Sequence, residues 1–311
     1  MKDRFLWSDG KIINASDFYV HGLSPTAQFG INVFEGIRAY RHTKKGVTTL
    51  FRFEEHFDRL AASCEGIGIA LPFNYQQLLD GVMLVTSANN YKGDVAYRII
   101  VYIDSEGTWS SRGDISSVVI APIERARTNP NFIESVKTGI SNVSRISKFS
   151  MDPGIKAGAN YLNGRYALRE VQLRGYDDAI LLDSDGFVSE GCGANVMMVK
   201  NNIVVSPRLE NSILNGITKR TIPFLAETMD LDFEERNISP QELLTASDVF
   251  FCGTAAEIKP IRSIDGEIIG SGKSEFSREL LSRYIKLVTG DLMGEKSWFI
   301  PLNLTSQVNE N

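Results

Sequence analysis

The alternation of apolar and polar residues in the first third of the chain predicts short strands and one-sided helices. The predicted elements are two strands of β-branched residues, KIINA (11–15) and VTTLFRF (47–53), two helices, FEEHFDRLAASC (53–64) and YQQLLDGVMLVTSANN (75–90), and a buried strand, VAYRIIVYI (95–103). In the first helix the apolar stripe consists of Phe57, Leu60, Ala61 and Cys64, at positions i, i+3, i+4 and i+7. Strands and helices do not alternate strictly, so the pattern indicates an α+β protein.

A polar segment divides the chain into two parts. Residues 123–133, IERARTNPNFI, follow an apolar run and contain a Pro-Asn break, which predicts a linker. The linker separates a smaller α+β domain, residues 1–122, from a larger, strand-rich α+β domain, residues 134–311, which contains Lys156. A length of 311 residues, about twice the ~150 residues of a typical domain, agrees with two domains.

Turn residues mark the elements of the larger domain. Residues 183–186, Asp-Ser-Asp-Gly, lie between two apolar runs and predict a hairpin in which Gly186 supplies the positive φ. Helices are predicted over residues 162–174, stopped by the glycine that follows, and from Gly216 onward in GITKRTIPFLAETM. The segment ASDVFFCGTAAEIKPI predicts a strand that runs into a Gly-Thr turn.

Charge and hydropathy narrow the possible partners. The net charge of −5 and the pI near 5.4 provide no basic surface for nucleic acids or anionic membranes, which favours a small molecule as partner. The N-terminal residues lack the apolar core of a signal peptide, and no run approaches the ~18 apolar residues of a membrane span. We therefore expect a cytoplasmic protein that does not bind membranes.

Cysteine and histidine content argues against disulfides and metal sites. Cys64, Cys192 and Cys252 are odd in number and far apart, as expected in a reducing compartment. The three histidines, His21, His42 and His56, are interpreted as ordinary loop or helix-surface residues, and no metal site is expected. The segment GSGKS (270–274) lacks the first glycine of a phosphate-binding P-loop and predicts a surface turn.

A lone lysine, Lys156, lies in DPGIKAGANYLNG (152–164), where its neighbours are small and Asp152 is the nearby carboxylate. An exposed lysine would explain this segment without any function. A partly buried lysine amine is instead a nucleophile for carbonyl carbons, and small neighbours leave room for a bulky aldehyde such as pyridoxal phosphate. That cofactor requires a carboxylate at the ring nitrogen, a phosphate cradle and a partner for the ring hydroxyl.

Segments further along the chain offer these groups. In VSEGCGAN, Glu190 ends a predicted hairpin strand and is followed by glycines that allow close approach to a flat ring. In LNGITKR, the amides of Ile217 and Thr218 and the Thr218 hydroxyl lie at a predicted helix start, where an anion binds. CGTAAE provides a second Gly-Thr turn. Each segment taken alone also fits an ordinary turn or helix start.

The order of five segments resembles that of the class IV aminotransferases. The segments are VFEGIRAY (33–40), KAGANYLN (156–163), DSDGFVSEGCGAN (183–195), LNGITKR (214–220) and FFCGTAAEIKPIRSIDG (250–266). The similarity runs from Trp7 past Asp265 and, within the family, points to the branched-chain amino acid aminotransferases. It implies a two-domain α+β fold of type IV, pyridoxal phosphate as cofactor, and a homodimer in which the neighbouring subunit completes each active site. It also implies ping-pong transfer of an amino group from a branched-chain or other hydrophobic L-amino acid to 2-oxoglutarate.

The resemblance implies a role for individual residues. Lys156 would form the Schiff base with the cofactor and then act as the base that moves the substrate proton. The other implied cofactor contacts are Tyr161 at the ring hydroxyl, Glu190 at the ring nitrogen, Leu214 against the ring, and Arg59, Ile217, Thr218 and Thr254 at the phosphate. The implied substrate contacts are Phe34 and Gly36 in an apolar pocket, Arg98 at the distal carboxylate of glutamate, and the amides of Thr254 and Ala255 at the α-carboxylate.

The predicted pocket departs from the family pattern. The family's Tyr-x-Arg strand motif reads AYRII here, so strand alternation places Ala96 where the family has a pocket tyrosine and turns Tyr97 to the other face. Phe29 and Ala194 replace a second tyrosine and a second glutamate. These changes suggest a wider or differently polar pocket, for larger or unusual amino acids. The alternatives are a D-amino acid transaminase, an aminodeoxychorismate lyase, and a cofactor-binding protein without turnover.

Overall fold

The computed structural model describes residues 4–42 and 44–302, which form two compact units. Of the described residues, the first unit contains those up to Arg127, the short segment Lys156–Ala159 and those from Val288 to Leu302. The second unit contains Thr128–Ile155 and Asn160–Leu287.

The first unit is built on a seven-stranded antiparallel sheet. Its strands are β1 (Phe5–Ser8), β2 (Lys11–Asn14), β3 (Asn32–Arg41), β4 (Thr48–Phe51), β5 (Val95–Tyr102), β6 (Ser117–Glu124) and β16 (Phe299–Pro301). Their spatial order is β16-β4-β3-β5-β6-β1-β2. The strands predicted at residues 11–15, 47–53 and 95–103 correspond to β2, β4 and β5.

Three α-helices belong to the first unit: α1 (Pro25–Phe29), α2 (Phe53–Ile67) and α3 (Tyr75–Asn89). A capping box between Asn74 and Gln77 begins α3, and Asn90, with a φ of 52°, ends it. The two long helices pack on the sheet, α2 against β3 and α3 against β1 and β6. Both lie where the apolar periodicity predicts a helix.

The buried stripe of α2 differs from the predicted one. Leu60 and Cys64 are buried as predicted, whereas Phe57 and Ala61 are only half-buried. The buried side chains of α2 are Phe53, His56, Leu60, Ser63 and Cys64. The stripe therefore includes two polar residues that have hydrogen-bond partners elsewhere in the unit, and hydrophobic periodicity does not register such partners.

The second unit contains nine strands, part of which close into a ring. The strands are β7 (Val136–Ile140), β8 (Asp178–Leu182), β9 (Val188–Gly191), β10 (Asn195–Lys200), β11 (Ile203–Ser206), β12 (Asp232–Glu235), β13 (Asp248–Gly253), β14 (Glu257–Ile264) and β15 (Glu267–Ile268). Their order is β12-β11-β10-β13-β14-β7-β8-β9, with β15 on β14. Because β9 also pairs with β10, the six strands from β10 through β9 form a closed ring. Its apolar core includes Ile180, Val196 and Phe251.

The second unit also contains four α-helices, α4 (Tyr161–Leu173), α5 (Ile222–Glu227), α6 (Pro240–Leu244) and α7 (Glu275–Val288). The helix predicted over residues 162–174 is α4, which packs Ala167 and Val171 against β8. The helix predicted from Gly216 begins later: residues Lys219–Thr221 form a 3₁₀ helix, and α5 follows with a proline in its first turn.

The predicted turns are present in the second unit. Gly186 has a φ of 83°, and Asp183 N–H donates to Phe187 O at 2.8 Å, which closes the predicted hairpin between β8 and β9. The GSGKS segment forms a turn after β15, in which Gly270 and Gly272 have positive φ.

The predicted domain ranges differ from the two units at two places. Lys156–Ala159 lie in the first unit rather than in the range 134–311, because this segment pairs with β3. Residues 288–302 also belong to the first unit, because β16 pairs with β4. The boundary between Arg127 and Thr128 falls inside the predicted linker. Residues 1–3 and 303–311 of the predicted ranges lie outside the described residues.

Across residues 4–42 and 44–302, no helix is long and apolar enough to span a bilayer. In the same part of the chain, no group of three or more His, Cys, Asp and Glu side chains is placed to hold a metal ion.

Candidate active site

The backbone around Lys156 is fixed against the start of β3. Phe34 N–H donates to Lys156 O at 3.1 Å, and Gly158 N–H donates to Asn32 O at 3.0 Å. Lys156 N–H donates to Ser63 Oγ of α2 at 3.1 Å. Both β3 and α2 therefore fix the position of the Lys156 backbone.

The small residues beside Lys156 are explained by this packing. A Cβ at Gly158 would lie 2.5 Å from Asn32 Oδ1, so this close approach requires glycine. Ala157 is buried and forms a bridge with Val33. Contact with β3 accounts for both residues, without the space for an aldehyde that the sequence suggested.

The side chain of Lys156 lies against Phe34, a predicted substrate residue, and Phe34 in turn lies beside a second one, Arg98. Lys156 Nζ is 5.0 Å from the centroid of the Phe34 ring, and Arg98 Cζ is 4.4 Å from the same centroid. Gly36 pairs with Arg98 across β3 and β5, and a Cβ at Gly36 would meet no atom within 4 Å. We call Lys156, Phe34, Gly36 and Arg98 the lysine group; the last three share one face of the sheet.

The opposite face of β3 holds a buried carboxylate, Glu35. His56 Nδ1 is 2.7 Å from Glu35 Oε2, and Arg59 donates to both carboxylate oxygens, Nε at 2.6 Å and Nη2 at 2.9 Å. Burial alone would raise the pKa of Glu35, but the adjacent Arg59 and His56 hold this pKa well below its ordinary value. The interpretation of His56 as an ordinary surface residue is therefore wrong: it is buried against an acidic partner.

The burial of Arg59 rules out a solvated helix residue. Its side chain is only 13% exposed, and its Nε edge is fixed on Glu35. A guanidinium held in this way has a defined orientation, which the recognition of a second anion requires. The phosphate contact of Arg59 stays a prediction.

The strand that carries Arg98 has the alternation that the sequence predicts. Tyr97 is buried on the helix side of β5, and its hydroxyl is 2.7 Å from Thr86 Oγ1 of α3. Ala96 pairs with Arg38 on the other side of β5, the side of Arg98. The face of the lysine group therefore has a methyl group at position 96 where an aromatic ring would form a wall.

In the second unit, Glu190 is the centre of a network of hydrogen bonds. Arg145 Nε donates to Glu190 Oε1 at 2.9 Å. Asn195 Nδ2 and the Leu214 N–H donate to Oε2 at 3.0 and 3.1 Å. Both Glu190 and Asn195 are buried and face each other where β9 closes on β10. We call these four residues the glutamate group.

Residues 216–218, which we call the Gly216 turn, lie directly against the glutamate group. A Cβ at Gly216 would lie 2.1 Å from Asn195 Oδ1, so no other residue fits here without displacing Asn195. The next two residues, Ile217 and Thr218, are buried, and Arg220 N–H donates to Gly216 O at 3.0 Å. The first helical bond therefore starts at Gly216, although the regular helix begins later.

Tyr161 and Gly253 lie beside the β9–β10 connection, and a Cβ at Gly253 would be 3.5 Å from Ala194 Cβ. A Cβ at Gly193 would be 3.8 Å from Tyr161 Cε1, so Tyr161, the first residue of α4, lies close to that connection. Thr254 and Ala255 form the turn between β13 and β14. The second unit thus brings together Tyr161, the glutamate group, the Gly216 turn and the region of the Gly-Thr turn.

Comparison with known proteins gives the family. The model of the amino-transferase class IV family matches residues 32–264. A branched-chain-amino-acid aminotransferase of Pseudomonas aeruginosa is 32% identical over 302 residues, which cover 96% of this chain and 97% of the relative. This chain belongs to the class IV aminotransferases.

Solved aminotransferases have the same fold. The branched-chain aminotransferase of Thermoproteus uzoniensis, solved with norvaline, has a TM-score of 0.89 at 33% identity and covers 96% of this chain and 99% of its own. The branched-chain amino acid aminotransferase of Thermobaculum terrenum, solved in its PLP form, has a TM-score of 0.89 at 31% identity, with 96% and 98% covered. The α+β fold of type IV that the sequence predicts is confirmed.

The sequence of this class IV aminotransferase gave no prediction for the residues that hold Glu190 and Arg59. Arg145 and Asn195 have no local signal, because they are defined only by contact with Glu190. Glu35 and His56 did leave a signal. A glutamate on the buried side of an alternating strand requires a basic partner, and HFDRL offers His56 and Arg59 on one helix face.

The cysteines of this aminotransferase are unsuited to nucleophilic chemistry. All three are free thiols. Burial raises the pKa of Cys64, Cys192 and Cys252 to about 12 in each case. The thiolate form is therefore scarce at neutral pH, which leaves Lys156 as the candidate nucleophile.

Proposed function

We propose that this class IV aminotransferase is a pyridoxal-phosphate-dependent transaminase. It moves the amino group of a branched-chain or other hydrophobic L-amino acid to 2-oxoglutarate by a ping-pong mechanism. The observation that carries the proposal is the Glu190 carboxylate, which is buried and bonded to Arg145, Asn195 and the Leu214 amide. A carboxylate fixed in this way is the partner that a pyridinium nitrogen needs. The branched-chain aminotransferases among the relatives support the choice of substrate.

The residues present fit the cofactor. Glu190 would hold the ring nitrogen, Leu214 would pack on the ring, and Tyr161 would bond the ring hydroxyl. The phosphate would be held by Arg59, Ile217, Thr218 and Thr254. The Gly216 turn supports this assignment, because it leaves no room for a side chain beside Asn195 and directs the following amides by backbone alone. When bound, pyridoxal phosphate supplies an aldehyde for the amine and a ring that withdraws electrons from the substrate α-carbon.

Lys156 Nζ would take the proton from the α-carbon of the amino donor and pass it to C4′ of the cofactor, and in the second half of the cycle it would move a proton from C4′ to the α-carbon of the oxo acid. Hydrogen bonds with Phe34 N–H and Ser63 Oγ hold the backbone of Lys156. The flexible side chain would therefore move while the Cα stays in place. The Phe34 ring, 5.0 Å from Nζ, would keep water from that side of the amine.

The substrate would be held at both ends by this chain. The amides of Thr254 and Ala255 would receive the α-carboxylate, and Phe34 and Gly36 would line an apolar pocket. The guanidinium of Arg98, placed over Phe34, would bind the distal carboxylate of 2-oxoglutarate. An apolar donor and a dicarboxylic acceptor would then use the same face of β3 and β5.

A second candidate is a transaminase for larger amino donors. The turn of Tyr97 toward Thr86 supports it, because the face of the lysine group then has the methyl group of Ala96 at position 96. Donors with aromatic or long apolar side chains would fit where a tyrosine would exclude them.

We also propose that the protein is a homodimer and that it works in a reducing compartment such as the cytoplasm. Tyr19 and Trp109 of the first unit are 77% and 73% exposed, which leaves both rings available for contact with a second copy of the chain. The free thiols agree with a reducing compartment. Light scattering of the purified protein tests the dimer.

Visible absorbance of the protein reconstituted with pyridoxal phosphate tests the function. We expect a yellow protein that bleaches with L-leucine or L-valine and recovers with 2-oxoglutarate. Lys156→Ala should lose this cycle, whereas the matched control Lys148→Ala, an exposed lysine on the same loop, should keep it.

Other results would select the alternatives. Bleaching by D-amino acids alone indicates a D-amino acid transaminase, and pyruvate release from aminodeoxychorismate indicates a lyase. A yellow protein that no amino donor bleaches is a cofactor-binding protein without turnover. Full activity of Lys156→Ala would contradict the assignment of the lysine.

A further inference from the structure

Glu257 has a backbone conformation that is uncommon for a glutamate. Its φ is +54°, in the left-handed region that glycine adopts without strain. Glu257 pairs with Gly253 across β13 and β14, so it closes the turn of Thr254, Ala255 and Ala256. Glycine would adopt this backbone conformation with less strain, which indicates that the side chain of Glu257 has a role here.

The side chain of Glu257 is fully buried, at 0% exposure. Its Oε2 accepts a hydrogen bond from the Thr128 N–H at 2.7 Å. A buried carboxylate must be bonded, and this bond ties the end of the turn to a backbone group 129 residues earlier in the second unit. The position of the turn is therefore fixed by the side chain of Glu257 as well as by the strand pairing.

We propose that Glu257 is a positioning residue that fixes the Thr254–Ala256 turn for the α-carboxylate of the substrate. The inference rests on the proposed function, in which the amides of Thr254 and Ala255 receive that carboxylate. Amides bind an oxyanion well only if they are aimed before it arrives. The amino donor and the oxo acid both carry a carboxylate beside the reacting carbon, so Glu257 affects both half-reactions in the same way.

Steady-state kinetics of Glu257→Ala and Glu257→Gln test this inference. Both variants keep a side chain at the left-handed position, so their backbone strain is matched, and only glutamine keeps an acceptor for Thr128. We expect Glu257→Ala to raise KM for L-leucine and for 2-oxoglutarate by about tenfold each, the effect of one charged hydrogen bond. The kcat and the cofactor absorbance should change by less than about twofold, and Glu257→Gln should restore both KM values to within about threefold of the wild type.

Asp94→Asn is the matched control. Asp94 is a buried carboxylate of the first unit that accepts the N–H of Arg127, the residue before Thr128, at 3.1 Å. Asp94 belongs to the first unit, whereas the Thr254–Ala256 turn belongs to the second. We expect Asp94→Asn to lower the Tm and to leave both KM values unchanged. An equal rise of KM in Asp94→Asn would assign the effect to the linker and overturn the role of the turn.

Glu257→Gly keeps the test decisive if the alanine variant does not fold. Glycine removes the strain and the acceptor together, so we expect a folded protein with the same rise of both KM values. Wild-type KM values in Glu257→Gly or Glu257→Ala would overturn the inference, even if the Tm changes. A wild-type protein without turnover would reject the proposed function itself, whereas wild-type turnover with unaffected Glu257 variants would reject only this role.

Discussion

Glu35 Oε2 and His56 Nδ1 lie 2.7 Å apart between β3 and α2, and both side chains are buried. The contact places a titratable ring beside a carboxylate that also holds Arg59. The pKa of His56 is lowered, first by burial and further by the charges of Arg59 and Lys156, while Glu35 opposes the shift. The ring is therefore neutral in the folded protein below the pH at which a free histidine takes up a proton.

This shift gives His56 a predictable effect on stability. The unfolded chain protonates His56 near its ordinary pKa of 6.5, and the folded chain does so only at lower pH. Below pH 6.5 the unfolded state thus binds more protons, so the free energy of unfolding falls as the pH falls. We expect His56→Gln to flatten this dependence between pH 6.5 and about 5 by up to about 1.4 kcal/mol per pH unit, measured by urea unfolding.

The exposed His21 provides the control for that measurement. His21→Gln makes the same substitution at an exposed site and so controls for the loss of a histidine as such. Parallel curves for the wild type and His56→Gln would show that His56 titrates alike in the folded and unfolded protein, against the prediction.

Removing one partner of the buried ion pair between Arg145 and Glu190 should strongly reduce the free energy of unfolding. Their side chains are 10% and 7% exposed. Arg145→Leu leaves the Glu190 carboxylate buried without its cation, and we expect a loss of about 3 kcal/mol in the free energy of unfolding. The double variant with Glu190→Gln should be more stable than Arg145→Leu alone, because the uncompensated charge is gone.

A surface pair gives the comparison for Arg145. Arg112 and Asp114 also form an ion pair, but their side chains are 88% and 68% exposed. Arg112→Leu should not measurably change the free energy of unfolding. Equal effects of Arg145→Leu and Arg112→Leu would indicate that the Arg145–Glu190 contact carries no more weight than a solvated pair.

Gly216 should tolerate no side chain. The Cβ of Gly216→Ala would lie 2.1 Å from Asn195 Oδ1, and displacing Asn195 breaks its bonds to Glu190 and Leu214. We expect Gly216→Ala to reduce the free energy of unfolding by about 2 kcal/mol and to weaken pyridoxal phosphate binding in an absorbance titration.

Gly193→Ala is the matched variant at the neighbouring turn. Its Cβ would have an ordinary contact, 3.8 Å from Tyr161 Cε1, so its stability should change by less than about 0.5 kcal/mol. If Gly216→Ala is as stable as Gly193→Ala, the packing of Asn195 against the turn is looser than the distance indicates.

The sequence predicted local structure better than it predicted contacts. Helices α2 and α3, strand β5 and the Gly186 turn follow from periodicity and turn residues within a few positions, because their determinants are neighbours in the chain. The pairing of Lys156 with β3 joins residues more than 120 positions apart, and no local pattern encodes it. For the same reason the small residues beside Lys156 were interpreted by their size alone, although Gly158 is required by Asn32.

The candidate site was predictable where a motif names a residue and not where a contact defines it. Lys156 and Glu190 lie in segments that resemble the family, and the structure surrounds each with polar or aromatic partners. Arg145 and Asn195, which hold Glu190, lie in segments with no such signal. Polar networks of this kind depend on distances between residues that are far apart in the chain, so they can be identified only from the folded structure.

Substitutions at two adjacent residues of β5 should have different effects: those at Tyr97 should change stability, and those at Ala96 should change the preference among amino donors. The Tyr97 hydroxyl bonds to Thr86 on the helix side, whereas Ala96 lies on the side of Arg98. Tyr97→Phe should lower the free energy of unfolding by about 1 kcal/mol through the lost hydrogen bond, with no change in the order of donors. Ala96→Tyr should instead lower kcat/KM for L-phenylalanine about tenfold relative to L-valine, because the ring fills the space beside Arg98 and costs the larger donor about 1.4 kcal/mol. Competition between the two donors, measured for the wild type and both variants, checks this, and an Ala96→Tyr enzyme with the wild-type ratio would place the donor side chain elsewhere.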